Sequence, residues 1–189
     1  LTYTGAYTPS DDRTLMLDLA GLNRIVEIAA DDMYVTAEAG VTWKQLYEAL
    51  TPLGLRLPCF GTFSGALATV GGGLSNGALF LGSARWGTAA DSLLTLEVAL
   101  ADGSVVRTGQ AGMKNAKPFY RTYGPDLTGP FVHDGGIFGI KLAASFRLIR
   151  MPEEMGHASF AFPTVESAAL ALSEVARTGA AEDAYVFDP

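Results

Sequence analysis

Leu67-Ala68-Thr69-Val70-Gly71-Gly72-Gly73-Leu74-Ser75-Asn76-Gly77 lies within residues 57–84, a stretch with seven glycines and no charged side chain. A glycine permits positive φ, and it also lets the main chain approach another group closely. Two readings follow. The stretch is either a buried, turn-rich connection, or a cradle in which successive N–H groups meet an anion. In the second reading Thr69, Ser75 and Asn76 add side-chain donors of the kind phosphates use. Known glycine motifs narrow the choice. The run fails G-x-G-x-x-G because Asn76 takes the last position, and it follows no convincing strand, so a Rossmann turn is disfavoured. No G-x-x-x-x-G-K-[ST] occurs, which excludes a P-loop. Gly73-Leu74-Ser75-Asn76-Gly77 does match the G-x-S-x-G nucleophile elbow, with Asp91 or Asp126 and His133 or His157 following in hydrolase order. That elbow needs a buried strand ending before the serine, and Ala68-Thr69-Val70 running into three glycines is poor strand material. A serine hydrolase using Ser75 is therefore the disfavoured alternative.

The composition agrees with a folded, acidic protein. The 189 residues are 49% apolar and 17% charged, with a net charge of -7. That excludes a disordered chain and leaves ample material for a core. The acidic balance argues against nucleic acid, whose phosphates demand clustered Lys and Arg. One cysteine excludes a disulfide framework and a thiolate zinc cage, and fits a reducing, cytoplasmic setting. Mean hydropathy is +0.23, yet no apolar run reaches the length of a transmembrane helix, so any membrane association is peripheral.

Outward from the glycines, the element pattern is mixed. Leu15-Met16-Leu17, Arg24–Ile28 and Met33–Ala37 read as strands, the last two joined by a turn at Asp31-Asp32. Thr42-Trp43-Lys44-Gln45 is a capping box, and Trp43, Leu46, Tyr47 and Leu50 follow at helical spacing until Pro52 and Gly54. Leu93–Ala101 and Ser104–Thr108 flank Asp102-Gly103, a hairpin signal. Gly139–Ile149 reads as a strand with Ala144, Phe146 and Leu148 on one face. Beyond Pro152 the expected order is a strand over Ser159–Phe162, a helix over Val165–Arg177 and a strand over Ala184–Phe187. This is the start of a second unit too small to bury its own face, so the chain reads as a segment of a longer protein.

The ordered series of motifs resembles the vanillyl-alcohol-oxidase/PCMH-type flavoproteins. The central run resembles their FAD pyrophosphate-binding segment. Met16-Leu17-Asp18-Leu19, Val35-Thr36-Ala37-Glu38-Ala39-Gly40-Val41-Thr42, Arg85-Trp86-Gly87, Ala101-Asp102-Gly103-Ser104, Tyr123-Gly124-Pro125-Asp126 and Gly136-Ile137-Phe138-Gly139-Ile140 fall around it in the family's order. The resemblance implies an α+β fold over residues 1–152: the second subdomain of the PCMH-type FAD-binding domain, a mixed or antiparallel sheet with flanking helices. Residues 153–189 would begin an α/β cap domain of the D-lactate dehydrogenase-like branch. It also implies FAD as cofactor, with Thr69, Gly71, Gly72, Ser75, Asn76 and Gly77 along its phosphates and ribityl chain, and Ser64 as a polar contact. Gly139 and Ile140 would meet the adenine through their main chain. Thr2 would belong to the tail of a glycine-rich loop from the first subdomain, which the rest of the polypeptide or a second chain would supply.

The implied activity is oxidation of a small D-2-hydroxy acid by hydride transfer to flavin, with oxygen, a quinone or a cytochrome as electron acceptor. A phenol or alditol oxidase on the same fold is the alternative. No catalytic residue is assigned, because the resemblance places the base and substrate contacts in the cap. Trp86, Phe138 and Lys141 depart from the family's usual residues, Lys141 by interrupting an apolar strand. Cys59 reads as a buried, inert thiol and His133 as an exposed turn residue. Two histidines 24 positions apart make no metal site. Trp43, Tyr47 and Leu50 read as helix core, and Tyr120 and Tyr123 as ordinary packing.

Overall fold

The structure is a computed structural model and describes residues 8–9, 11–79 and 81–187. Its frame is a five-stranded sheet in the order β1-β2-β6-β4-β5, with every neighbouring pair antiparallel. β1 (Ile25–Ala29) and β2 (Tyr34–Glu38) form the first hairpin, which turns through Met33 at φ 58°. β4 (Leu93–Ala99) and β5 (Val105–Arg107) form the second, with Gly103 at φ 82° in its turn. β6 (Ile140–Arg147) runs between the hairpins and pairs Phe146 with both Val35 and Leu93. The two hairpins signalled by Asp31-Asp32 and Asp102-Gly103 therefore form as expected.

One sheet face is the core. Val35, Ala37, Leu96, Val98, Ala144 and Phe146 meet Trp43, Leu46 and Leu50 of α1 (Trp43–Leu50) and Val70 and Leu74 of α2 (Val70–Asn76). Each of these large side chains contributes roughly 1.5–3 kcal/mol by leaving water. Trp43 is the centre, 1% exposed and edge-on to Phe146 at 5.8 Å. The α1 capping box is intact: Gln45 N donates to Thr42 Oγ1 at 3.1 Å and Thr42 N to Gln45 Oε1 at 2.8 Å. Pro52 lies in the 3-10 turn that follows, and Gly54 closes it at φ 66°. A short pair, β3 (Leu55–Arg56) with β7 (Ile149–Arg150), ties the end of α1 to the end of β6.

Several expectations need correction. Leu15-Met16-Leu17 form no strand; Leu15 is 88% exposed, and the run has no alternation with which to share a sheet face. Tyr47 is 45% exposed, resting its ring on Phe60 at the rim of α1 instead of in the core. Tyr120 and Tyr123 are likewise exposed. Among the described residues past 152 only α4 (Val165–Thr178) is regular, capped by Thr164 and closed by Gly179 as its sequence predicts. Ser159–Phe162 and Ala184–Phe187 stay irregular, since neither meets a strand edge among the described residues. The segment after α4 is nonetheless anchored. Glu182 accepts hydrogen bonds from Arg56 Nη2 and, at 3.1 Å, from Trp86 Nε1, and Asp183 accepts from Gly82 N at 2.6 Å. Trp86 belongs to α3 (Ser83–Trp86), and the Arg85 guanidinium lies 4.9 Å from its ring centroid.

Candidate functional site

The glycine run is a helix. Three consecutive glycines each cost about 1 kcal/mol relative to alanine in such a place, so α2 stands because both of its ends are held from outside. At the start, Thr69 Oγ1 accepts from Gly72 N at 3.3 Å. Val70 N donates to Val41 O and Gly71 N to Ala39 O, both at 2.8 Å, and Gly73 N donates to Thr69 O at 2.9 Å. The N–H groups of residues 70–73 are thus all used inside the protein. This corrects the expected cradle of main-chain donors: what α2 offers a ligand is surface and side chains.

Packing explains two of the three glycines. A Cβ on Gly71 would lie 2.8 Å from Ala39 Cβ, and one on Gly73 would lie 2.6 Å from Trp43 Cζ2. Gly61 presses on the indole from another side, where a Cβ would fall 2.6 Å from Trp43 Cε2. Gly72 differs. It is exposed, and a Cβ there would meet only Thr69 Oγ1 at 3.3 Å. Folding alone would favour alanine at this position. A bare backbone flanked by Thr69 and Asn76 fits a group that must come close. Asn76 Nδ2 donates to Gly72 O at 3.0 Å, so these three residues form one outward polar stripe.

Residues 133–141 cover the far end of α2. His133 N donates to Leu74 O and Gly135 N to Ser75 O, both at 2.9 Å, satisfying carbonyls that a helix end leaves open. Gly77 turns the chain at φ 71° beneath the His133 ring. Asp134 then organises the loop. Its carboxylate accepts from Lys141 Nζ at 2.7 Å, Gly136 N at 3.0 Å and Phe138 N at 3.3 Å. The two charged side chains are 1% and 3% exposed. Burial opposes ionisation of Asp134, but the Lys141 ammonium and the two N–H donors outweigh it and hold the carboxyl below its ordinary range. Gly135 and Gly136 take φ of 61° and 83°, and Gly139 brings β6 against β4, where a Cβ would lie 2.5 Å from Val98 Cγ1.

Between α2 and this loop lies a cleft of about 160 Å³, open to solvent. Gly71, Ser75, Gly139 and Ile140 line it, together with Gly136 and Lys141 of the loop and Leu17 and Leu19 of the segment before β1. Four of the predicted site residues therefore converge from two distant parts of the chain. Thr69, Gly72 and Asn76 form the outer stripe of the same helix. Gly77 is the helix terminus under His133, and Ser64 is exposed on a separate loop, its Oγ 3.4 Å from Thr62 Oγ1. Thr2 lies outside the described residues. Sequence reasoning missed Asp134, although a lysine inside an apolar strand was a signal to look for its counter-charge.

The same geometry removes the hydrolase alternative. Ser75 sits within a helix, not at a strand-to-helix turn. Asp91 caps its own turn through Thr88, Asp126 pairs with Arg121, and neither carboxylate meets His133 or His157. Cys59 is buried, its Sγ accepting from Gly61 N at 3.3 Å. Among the described residues no cluster of His, Cys, Asp and Glu could hold a metal, and no helix is long and apolar enough to cross a membrane.

Comparison with known proteins accords with this geometry. Residues 2–109 match the family described as FAD binding domain. The chain is 35% identical over 161 residues to the probable D-lactate dehydrogenase, mitochondrial, of Danio rerio, covering 85% of this chain and 31% of that protein. It is 29% identical over 161 residues to the glycolate oxidase subunit GlcD of Bacillus subtilis, covering 85% and 33%. Over 152 residues it is 30% identical to the 4-cresol dehydrogenase (hydroxylating) flavoprotein subunit of Pseudomonas putida, covering 78% and 28%. The chain spans about a third of the length of these relatives. With more than half of its residues inside the match, and the glycine helix among them, the chain belongs to the FAD binding domain family.

Proposed function

We infer that the cleft between α2 and the 133–141 loop receives part of FAD, and that the complete protein is an FAD-dependent oxidoreductase of small D-2-hydroxy acids. The observation that carries this reading is the convergence of Gly71, Ser75, Gly139 and Ile140 on one cleft beside the bare backbone of Gly72. Thr69, Ser75 and Asn76 are the polar groups for the phosphates and ribityl chain. The main chain at Gly139 and Ile140 supplies the donor and acceptor that a purine edge requires. When bound, FAD supplies the two-electron oxidant for a C–H bond alpha to a hydroxyl; the protein supplies binding and orientation.

The substrate class and electron acceptor follow the relatives' names, and the domain bounds and compartment follow the sequence. D-lactate and glycolate, named in two relatives, are 2-hydroxy acids and set the substrate class. An electron acceptor of the cytochrome type is supported by relatives whose names include it. Residues 1–152 form the FAD-binding unit in this reading, residues 153–189 open the cap, and the protein works in the cytoplasm. A phenolic substrate is the second reading, favoured by the 4-cresol dehydrogenase relative.

The test is the visible spectrum of the purified full-length protein. A flavin band that bleaches anaerobically with D-lactate or another D-2-hydroxy acid is the expected result. Bleaching with p-cresol and not with hydroxy acids would move the assignment to the second reading, and a colourless protein that takes up no FAD would overturn both.

A further inference from the structure

We propose that Asp134 and Lys141 are positioning residues for the nucleotide: their buried pair presets the 135–140 backbone in the shape that the cofactor reads. This rests on the reading that FAD enters the cleft. The argument starts from the loop's weakness. Gly135 and Gly136 both take positive φ, and no atom lies within 4 Å of where a Cβ on either would fall, so packing does not hold them. Ile137 and Phe138 are 83% and 62% exposed, so burial does not hold the tip either. A segment with two glycines and an exposed apolar tip has a large conformational entropy to lose.

Apart from Gly135 N, which donates to Ser75 O at 2.9 Å, the restraints it does have are concentrated on Asp134. One carboxylate oxygen takes both Gly136 N and Lys141 Nζ, and the other takes Phe138 N. Ile137 N donates to the Asp134 carbonyl at 3.1 Å. Lys141 is in β6, so the pair ties the loop to the sheet at the point where Gly139 and Ile140 enter the cleft wall. A buried ion pair is seldom retained for stability, since apolar replacements serve as well; fixing one arrangement is its better-attested use. Main-chain recognition demands such fixing, because N–H and C=O groups at residues 139–140 present a donor and acceptor only in one backbone conformation.

Affinity falls by the fraction of molecules in the competent conformation. If the unpaired loop holds that conformation about a tenth of the time, the dissociation constant for FAD rises about tenfold. The experiment titrates FAD into the full-length apoprotein and its variants, following flavin fluorescence. Asp134→Ala should weaken FAD binding about tenfold or more. The double variant Asp134→Asn, Lys141→Met keeps one side-chain oxygen, for Gly136 N–H, and leaves no buried charge, so it should recover most of the affinity that Asp134→Ala loses. Leu50→Ala, which empties core volume on α1 away from the cleft, should lower the melting temperature without changing FAD affinity.

Four outcomes overturn the proposal. Wild-type affinity in Asp134→Ala would show that the loop needs no pair. A double variant as weak as Asp134→Ala would show that the charges themselves, and not the loop shape they fix, serve the nucleotide. A parallel loss in Leu50→Ala would reduce the effect to global stability. Failure of wild type to bind FAD would instead remove the functional reading, and the pair's role with it.

Discussion

The two walls of the cleft use glycine for opposite ends. In α2, Gly71 and Gly73 have ordinary helical backbones, and their lack of a Cβ lets Ala39 and Trp43 come close. In the 133–141 loop, a Cβ on Gly135 or Gly136 would meet nothing, and their value is the positive φ that other residues adopt reluctantly. The first wall is fixed by packing and the second by a buried charge pair. The difference predicts different failures: a packed wall breaks by collision, whereas a charge-tied wall breaks when one partner is left alone.

The largest expected effect lies in the second wall. Asp134→Ala leaves a buried ammonium and two N–H groups without their acceptor and should cost about 3–5 kcal/mol of unfolding free energy, measured by urea titration. A loss below about 1 kcal/mol would mean that solvent reaches the pair. In the first wall, Gly73→Ala drives a methyl into the Trp43 ring and should cost about 1–3 kcal/mol in the same titration. Its neighbour separates the two roles of glycine within one helix. Gly72→Ala should leave the apoprotein as stable or more so, by up to about 1 kcal/mol, while weakening FAD binding. If Gly72→Ala binds FAD like wild type, the bare backbone there has no ligand to serve.

The smallest effect is on pH. The Asp134 carboxyl is held below its ordinary range, so its contribution to stability is complete above about pH 4 and is lost as the pH falls through the depressed folded value. The melting temperature of wild type should therefore fall more steeply on acidification below that pH than that of the Asp134→Asn, Lys141→Met variant. Parallel acid limbs would place the acid sensitivity in other carboxylates, such as Glu38, which Arg24 also holds low through hydrogen bonds at 2.7 and 3.0 Å.

Local chemistry was legible in the sequence wherever it acts over a few residues. The Thr42-to-Gln45 box, the Asp102-Gly103 turn and the periodicity of residues 43–50 each carry their own instruction, and each element forms. The glycine run was legible as a special segment but not as a helix, because propensity there is overruled by Ala39, Val41 and Trp43, residues about 30 positions earlier. The strands expected over Ser159–Phe162 and Ala184–Phe187 had suitable residues and no partner edge among the described residues. Motif order named Gly71, Ser75, Gly139 and Ile140 among the eight residues that line the cleft, whereas the role of Asp134 depends on a side chain seven residues away reaching back across a loop. Spacing alone does not reveal that.

The central claim is that one cleft, walled by α2 and the 133–141 loop, receives FAD. Amide hydrogen exchange of the full-length protein with and without FAD tests it most directly. FAD should slow exchange at Gly135–Ile140 and along Gly72–Asn76 together, both walls closing on one ligand. Bound FAD that leaves both segments exchanging as in the apoprotein would contradict it.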